Sequence, residues 1–314
     1  MEKRTIALLS GGISSEREVS LNSGNEVYEA LDKSKYHVLR YDPKTDIEKL
    51  VADAPRIDAA LIILHGPFGE DGTVQGLLDL LRIPYQGSGV LGSALAMNKL
   101  ASKQLYEKSG LPVPAYTVVE RQQEIDADQI CLQFGLPLVI KPVVGGSSVG
   151  MSIVGRPEDL PAALEKALLE DSNAVIEAYI EGTEITVGVI GNRRLEALPL
   201  IEIIPGETHA FFDYEAKYTP GHTREICPAR IDSKLAEIAQ RYAKIAHRAL
   251  FCRGYSRTDF ILKGNQFFIL ETNTIPGVTA NSLLPLAART AGIEFGQLFD
   301  RLIELALEGY EKMT

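Results

Sequence analysis

Lys141 ends an apolar run, and the residues after it read Pro-Val-Val-Gly-Gly-Ser-Ser-Val-Gly to position 150. Two adjacent glycines let backbone N–H groups approach phosphate oxygens where a Cβ would intrude. Ser147 and Ser148 add hydroxyl donors, and the lysine adds a fixed charge. The chemistry of such a segment is anion binding under a mobile flap; an ordinary glycine-rich hairpin is the bland alternative. Segment 256–273, SRTDFILKGNQFFILETN, supplies hard oxygen donors between two apolar strands. If the turn at Lys263-Gly264-Asn265 closes with an odd number of loop residues, Arg257, Asp259, Glu271 and Asn273 share one face. A two-residue loop would split Asp259 from Glu271. On one face these oxygens suit Mg²⁺ carrying substrate phosphates, against the plainer reading of a solvated sheet face with an ion pair. Pro276-Gly277 follow at once and can aim backbone N–H groups at an anion. Upstream, Glu177 and Glu184 flank a glycine turn in EAYIEGTEITV (177–187), where carboxylates hold an amine or a ribose hydroxyl, or simply face solvent.

Two other patterns fail on context. Gly87, Gly89 and Gly92 fit GxGxxG, but the acidic residue that should end the next strand about 20 residues on is replaced by Leu111-Pro112. Gly146-Ser147-Ser148-Val149-Gly150 fits GxSxG, yet the following MSIV is β in character and no helix starts before Pro157. A nucleophile elbow needs strand, turn and helix, so a serine hydrolase drawing on His65, His209 or His222 is disfavoured. A phosphate-binding P-loop is excluded by the absence of any Gly-Lys pair.

The elements that must hold these residues alternate. Strands are predicted at 5–10, 37–42, 59–66 and 83–87, with helices between them, one from about Glu16 to Leu31. This pattern argues for a parallel sheet covered on both faces, with ligands beyond its carboxyl ends. A lysine-rich helical stretch spans Leu91–Gly110. A second region then holds a helix near 124–134, strands at 136–141 and 151–154, a helix at 157–170, and two further strands. The last third holds a loop-rich stretch at 205–230, a helix at 232–250, the hairpin and a terminal helix at 294–308. The fold class is α/β in three subregions, breaking near 98 and 185.

Acidic residues outnumber basic ones, 42 to 32, which argues against a nucleic-acid partner because a phosphate backbone needs a basic footprint. No apolar run approaches the roughly 18 residues of a membrane helix, and IALL near the N-terminus is too short for a secretory core. Cys131, Cys227 and Cys252 are odd in number and never paired as CxxC, so they read as reduced thiols in a cytoplasmic enzyme.

Taken in order, LLSGGISSEREVSLNSG, HGPFGEDGTVQGLL, KPVVGGSSVG, FFDYEAKY, RTDF and ETNTIPGVTANSL resemble the motifs of D-alanine–D-alanine ligases, members of the ATP-grasp superfamily. The resemblance covers nearly the whole chain. Thr272 departs from the small aliphatic residue usual in the family, and Val278 from Met or Leu. The resemblance implies an N-terminal parallel-sheet, Rossmann-like substrate domain (1–98) and a two-subdomain ATP-grasp fold (99–185 and 186–314). It implies ATP-dependent joining of two D-alanines through an acyl phosphate, for peptidoglycan precursor synthesis.

By the same resemblance, Lys99 and Lys141 contact the ATP phosphates, with Ser147 and Ser148 in a loop closing over them. Glu177, Tyr179, Ile180 and Glu184 hold adenine and ribose. Asp259, Glu271 and Asn273 bind two Mg²⁺ ions, or Mn²⁺. Glu16 receives the first D-alanine's amine, Arg257 and the Gly277 N–H stabilise an oxyanion, and His65, Ser282 and Leu283 complete the substrate site. Lys217 and Tyr218 belong to a lid, Tyr218 reaching toward Ser147 and Glu16. A homodimer is the family's habit. D-alanine–D-lactate and D-alanine–D-serine ligases, and a nucleotide-binding regulator without turnover, are the competing expectations.

Overall fold

The computed structural model describes residues 3–206 and 223–310. Strands β1 (Arg4–Ser10), β2 (Tyr36–Tyr41) and β3 (Ala59–Ile63), with helices α1 (Arg17–Ala30) and α2 (Ile47–Asp53) between them, form a parallel sheet in the order β2-β1-β3. All of β3 and most of β1 are buried, as parallel strands covered on both faces must be. Ala7, Leu9 and Ile62 pack on one side; Ile6, Leu8 and Leu61 pack on the other against Leu298, Phe299 and Leu302 from the far end of the chain.

The fourth strand expected at 83–87 is absent as a strand. Only Tyr85 bridges to Ala60, and the Gln86 side chain takes over the pairing, accepting from the Ile62 N–H and donating to its carbonyl at 2.8 Å each. After α3 (Thr73–Leu80), the helical stretch expected at 91–110 is two helices, α4 (Val90–Met97) and α5 (Lys99–Lys108). Asn98 breaks it: its backbone is extended and its side chain caps α5 by accepting from Ala101 N–H, which puts Lys99 in the first helical position.

The second sheet is antiparallel, in the order β4-β7-β5-β6, from β4 (Tyr116–Glu120), β5 (Leu138–Pro142), β6 (Ser152–Val154) and β7 (Asn173–Ala178). Helices α6 (Ala127–Phe134) and α7 (Leu160–Glu170) cover one face, over Leu138, Ile140, Ala174 and Ile176. Strand alternation therefore sends Val139, Lys141 and Glu177 to the other face.

The third sheet, also antiparallel, runs β11-β10-β8-β12-β13 with β9 beside β8. Its strands are β8 (Thr183–Ile190), β9 (Glu196–Ala197), β10 (Ile201–Pro205), β11 (Thr223–Ile226), β12 (Tyr255–Lys263) and β13 (Gln266–Asn273). Helix α8 (Ser233–Ala249) lays Ala239, Ala243 and Ala246 over Ile185, Val187, Phe260 and Phe267. Glu184, Thr186, Arg257 and Asp259 are left on the opposite face. The break expected at 185/186 falls inside β8, whose Thr183 and Glu184 already pair with Leu262 and Ile203. The chain changes sheets at Gly182, where a Cβ would stand 2.3 Å from the Leu262 carbonyl oxygen. Helix α10 (Phe295–Tyr310) packs back onto the first sheet, while α9 (Leu283–Thr290) sets Leu284 against Gly188 of β8 and so joins the third sheet to the same core.

Candidate active site

The uncovered faces of the second and third sheets confront each other across a cavity of about 480 Å³. Lys141, Glu177, Tyr179 and Ile180 line it from the second sheet and its exit, Glu184 and Asp259 from the third, and Ser147 and Ser148 from the glycine loop. Apolar walls come from Val139, Ile203 and Ile261. A cleft with apolar walls, carboxylates and ammonium groups suits a base, a sugar and a polyphosphate.

Glu177 is buried, and burial alone would raise its pKa. Lys141 and Lys103, 3.0 and 2.9 Å from its Oε1, outweigh that and hold the carboxyl below its ordinary value. Lys99 approaches from α5, donating to the Gly145 carbonyl at 2.7 Å and so pinning the start of the loop. Ser147 and Ser148 both have left-handed backbone, φ 49° and 59°. Ser148 leads into β6 rather than a helix, which removes the structural basis of a nucleophile elbow.

The hairpin reaches the expected arrangement by an unexpected route. Lys263 pairs directly with Gln266, so the loop has two residues, and a regular ladder would have turned Glu271 away from Asp259. A β-bulge prevents this: Phe260 pairs with Ile269 but Asp259 pairs with Glu271, leaving Leu270 as the extra residue. Arg257 then pairs with Asn273, and all four residues share a face. Arg257 forks onto Asp259 at 2.9 and 2.7 Å, Asn273 donates to it at 3.2 Å, and Thr186 donates to it at 2.5 Å. Thr272, on the reverse face, is buried, accepting from the Tyr106 hydroxyl at 2.8 Å and bonded to the Thr258 hydroxyl. Val278 is fully buried in the core.

Two carboxylates and one amide are too few for an all-protein cage, and no cluster of three or more His, Cys, Asp or Glu suited to a metal occurs among the described residues. They do fit Mg²⁺ or Mn²⁺ in a nucleotide site, where phosphates and water complete the shell.

A smaller compartment, about 100 Å³, adjoins the first and shares Lys99, Gly145, Gly146, Ser147 and Glu271 with it. Glu16, His65, Arg257 and Gly277 line the rest. Ser147 Oγ donates to Glu16 Oε1 at 2.5 Å, joining the loop to the start of α1 across 131 positions of sequence. Glu16 is itself held by its neighbour Arg17, which binds the Gly12 carbonyl and the Asp42 carboxylate. Burial pushes His65 below its ordinary pKa, Glu16 opposing. Ser282 lies outside the lining but beside it: a Cβ on Gly277 would stand 3.1 Å from its Oγ. Ser282 also begins α9, so Leu283 offers one of the unpaired N–H groups of a helix start. Lys217 and Tyr218, with the rest of FFDYEAKY, and His209 and His222 lie outside the described residues.

Some site residues were not legible from the sequence. Glu70 lines the smaller compartment, accepting from the Gly66 N–H at 2.7 Å. Desolvation, with help from Glu16, pushes it up to about 8. It sits within HGPFGEDG, a glycine-rich segment in which a lone carboxylate carries no spacing signal of its own. Lys103 and Thr186 were missed because only packing brings them to Glu177 and Asp259.

The remaining observation is likeness. Residues 105–304 match the family model described as D-ala D-ala ligase C-terminus, and residues 41–88 match D-ala D-ala ligase N-terminus. The chain is 62% identical over 307 residues to the D-alanine–D-alanine ligase of Syntrophobacter fumaroxidans, covering 98% of this chain and 99% of that protein. It superposes on the ATP complex of the Bacillus anthracis D-alanine–D-alanine ligase with a TM-score of 0.86 at 35% identity, covering 99% of this chain and 100% of that one. The VanG D-Ala:D-Ser ligase of Enterococcus faecalis is also similar, TM-score 0.83 at 31% identity, covering 97% of this chain and 100% of that one.

Proposed function

This chain belongs to the D-alanine–D-alanine ligase family, and from that premise we propose how its own residues carry the reaction. It is an ATP-grasp enzyme that joins two D-alanines with conversion of ATP to ADP and phosphate, for cell-wall precursor synthesis. The observation that carries the assignment of roles is the shared boundary of the two compartments at Lys99, Ser147 and Glu271. A triphosphate in the larger one and an amino acid in the smaller one meet there.

ATP occupies the larger compartment, with adenine and ribose against Glu177, Tyr179, Ile180 and Glu184. Its phosphates lie toward Lys99, Lys141 and the 147–150 loop. Asp259, Glu271 and Asn273 would hold Mg²⁺ or Mn²⁺, which would supply neutralisation of phosphate charge. In the smaller compartment Glu16 accepts the ammonium of the first D-alanine, which turns its carboxylate toward the γ-phosphate. That attack displaces ADP and forms the acyl phosphate, and the Ser147–Glu16 bond shuts water from it.

The second D-alanine places its carboxylate at Ser282 and the Leu283 N–H, and its neutral amine attacks the acyl carbon, the adduct then expelling phosphate to leave the peptide bond. Arg257 and the Gly277 N–H stabilise the resulting oxyanion, an effect worth about 2.7–4 kcal/mol per donor in other enzymes. Lys217 and Tyr218 serve as the lid. The domains are 1–98, 99–182 and 183–314, the second seam moved to the turn before β8. The enzyme works as a homodimer in the cytoplasm on the small molecules ATP and D-alanine.

Phosphate release with D-alanine, D-lactate or D-serine as second substrate, with product identification, tests this reading. D-alanyl-D-alanine should dominate near neutral pH. Preference for D-lactate or D-serine would reassign the second substrate, and ATP binding without release would make the chain a regulator.

A further inference from the structure

Helix α5 presents Lys99 and Lys103 one turn apart, and only Lys99 reaches the cleft. Lys103 has a fully buried side chain, and its Nζ stands 2.9 Å from Oε1 of Glu177, itself 2% exposed. Lys141 Nζ stands 3.0 Å from the same oxygen at the cleft edge. Both ammonium groups thus converge on one carboxylate oxygen. The ring of Tyr116 lies 5.2 Å from the Lys103 ammonium and gives it a second electron-rich neighbour.

Stability alone does not explain this lysine, because a buried ion pair is commonly no better than apolar side chains of the same volume. The charge count does. Two ammonium groups against one carboxylate leave the cluster net positive, and Lys141 is the member that faces the cavity. With Lys103 behind it, Glu177 is neutralised from the protein side. Without Lys103, Lys141 would be its sole counter-ion. That pair would be neutral, and the ammonium would be drawn down onto the carboxylate and away from a bound anion.

We propose that Lys103 is a positioning residue for nucleotide binding, fixing Glu177 from behind so that Lys141 keeps its charge for a polyphosphate and Glu177 keeps its second oxygen for a nucleobase amino group. The proposal rests on the larger cavity being the ATP site. Burial and the like charge of Lys141 both weigh against ionised Lys103, with Glu177 opposing them; this is the sign expected of a group placed for its effect on neighbours.

The test compares Lys103→Met, which keeps the apolar stem, with Glu177→Gln and the double variant in the full-length enzyme. KM for ATP should rise about tenfold or more in Lys103→Met, with kcat at saturating ATP and KM for D-alanine within about threefold of the parent. The double variant should bind ATP no worse than the weaker single variant, because Lys103 acts through Glu177. Preference for ATP over ITP, which lacks the amino group, should fall in all three. An unchanged KM for ATP, a matching loss in KM for D-alanine, or additive losses would overturn the proposal. Should Lys103→Met not fold, the double variant removes both members of the pair, and its ATP-to-ITP preference decides: retained selectivity refutes the idea. ATP binding is also measured directly by calorimetry. If the parent binds ATP yet releases no phosphate with D-alanine, the ligase reading fails while the role of Lys103 is still decided.

Discussion

Replacing Ser147 by alanine removes one hydroxyl, and two features of the loop set the consequence. The first is the 2.5 Å bond from Ser147 Oγ to the Glu16 carboxylate, a charge-assisted contact worth about 1.5–3 kcal/mol. The second is the left-handed backbone of Ser147 and Ser148, which costs an L-residue about 1–2 kcal/mol each. The closed loop therefore balances local strain against a tether. Without the tether the strain remains, and closure should weaken by about 10- to 150-fold, read as a fall in kcat/KM for both ATP and D-alanine. Ser147→Gly loses the same bond but relieves the strain at one residue, so it should recover about fivefold relative to alanine. The expected order is serine, then glycine, then alanine, although glycine is the more flexible replacement. Initial-rate kinetics with separate quantitation of ADP and dipeptide provide the assay. The alanine variant should also waste more ATP per dipeptide, because an open loop admits water to the acyl phosphate. Activity of Ser147→Ala within twofold of the parent, or glycine performing worse than alanine, would refute this reasoning.

Glu271→Gln should lower kcat by at least about 10- to 100-fold at millimolar Mg²⁺, partly restored at higher concentration; full activity under ordinary Mg²⁺ would reject its role as a ligand. Burial works against ionised Asp42, but bonds from Arg17 and from the Gly12 and Lys44 N–H groups hold its carboxyl at about 2. A folded-state value below the unfolded one stabilises above about pH 4 and is lost as pH falls toward 2. Thermal melts of the parent and Asp42→Asn should therefore differ most at pH 5–7 and converge near pH 2; a gap that does not close would remove the pair from the account. Gly24→Ala should cost about 1–3 kcal/mol in urea unfolding, because a Cβ there would stand 2.5 Å from Ser10 Cβ and Oγ. If that variant is as stable as the parent, α1 does not rest on β1 as tightly as the distance implies.

The metal-side hairpin marks the boundary between what a sequence displays and what it hides. Its two apolar strands and donors are plain in SRTDFILKGNQFFILETN, and the shared face of Asp259 and Glu271 was inferred from an odd-numbered loop. The loop has two residues, and the shared face exists because Leu270 bulges. A bulge depends on the twist of the whole sheet and on what presses against each side, and alternation along one strand does not carry that information. The same holds at 83–87, where an apolar run is legible but the substitution of the Gln86 amide for a strand is not.

Local chemistry is what the sequence determined by itself: the parallel start, the glycine loop after a strand-ending lysine, the oxygen donors of the hairpin and the order of motifs. These depend on residue type and short spacing, which a linear reading retains. Tertiary structure alone decided which distant groups meet. It set Ser147 on Glu16, sank Lys103 against Glu177, brought Glu70 into the smaller compartment, and returned α10 to the first sheet. Each of these contacts joins residues far apart in the chain, and the burial of apolar surface that drives them is non-directional. Their partners are therefore chosen by how sheets and helices pack.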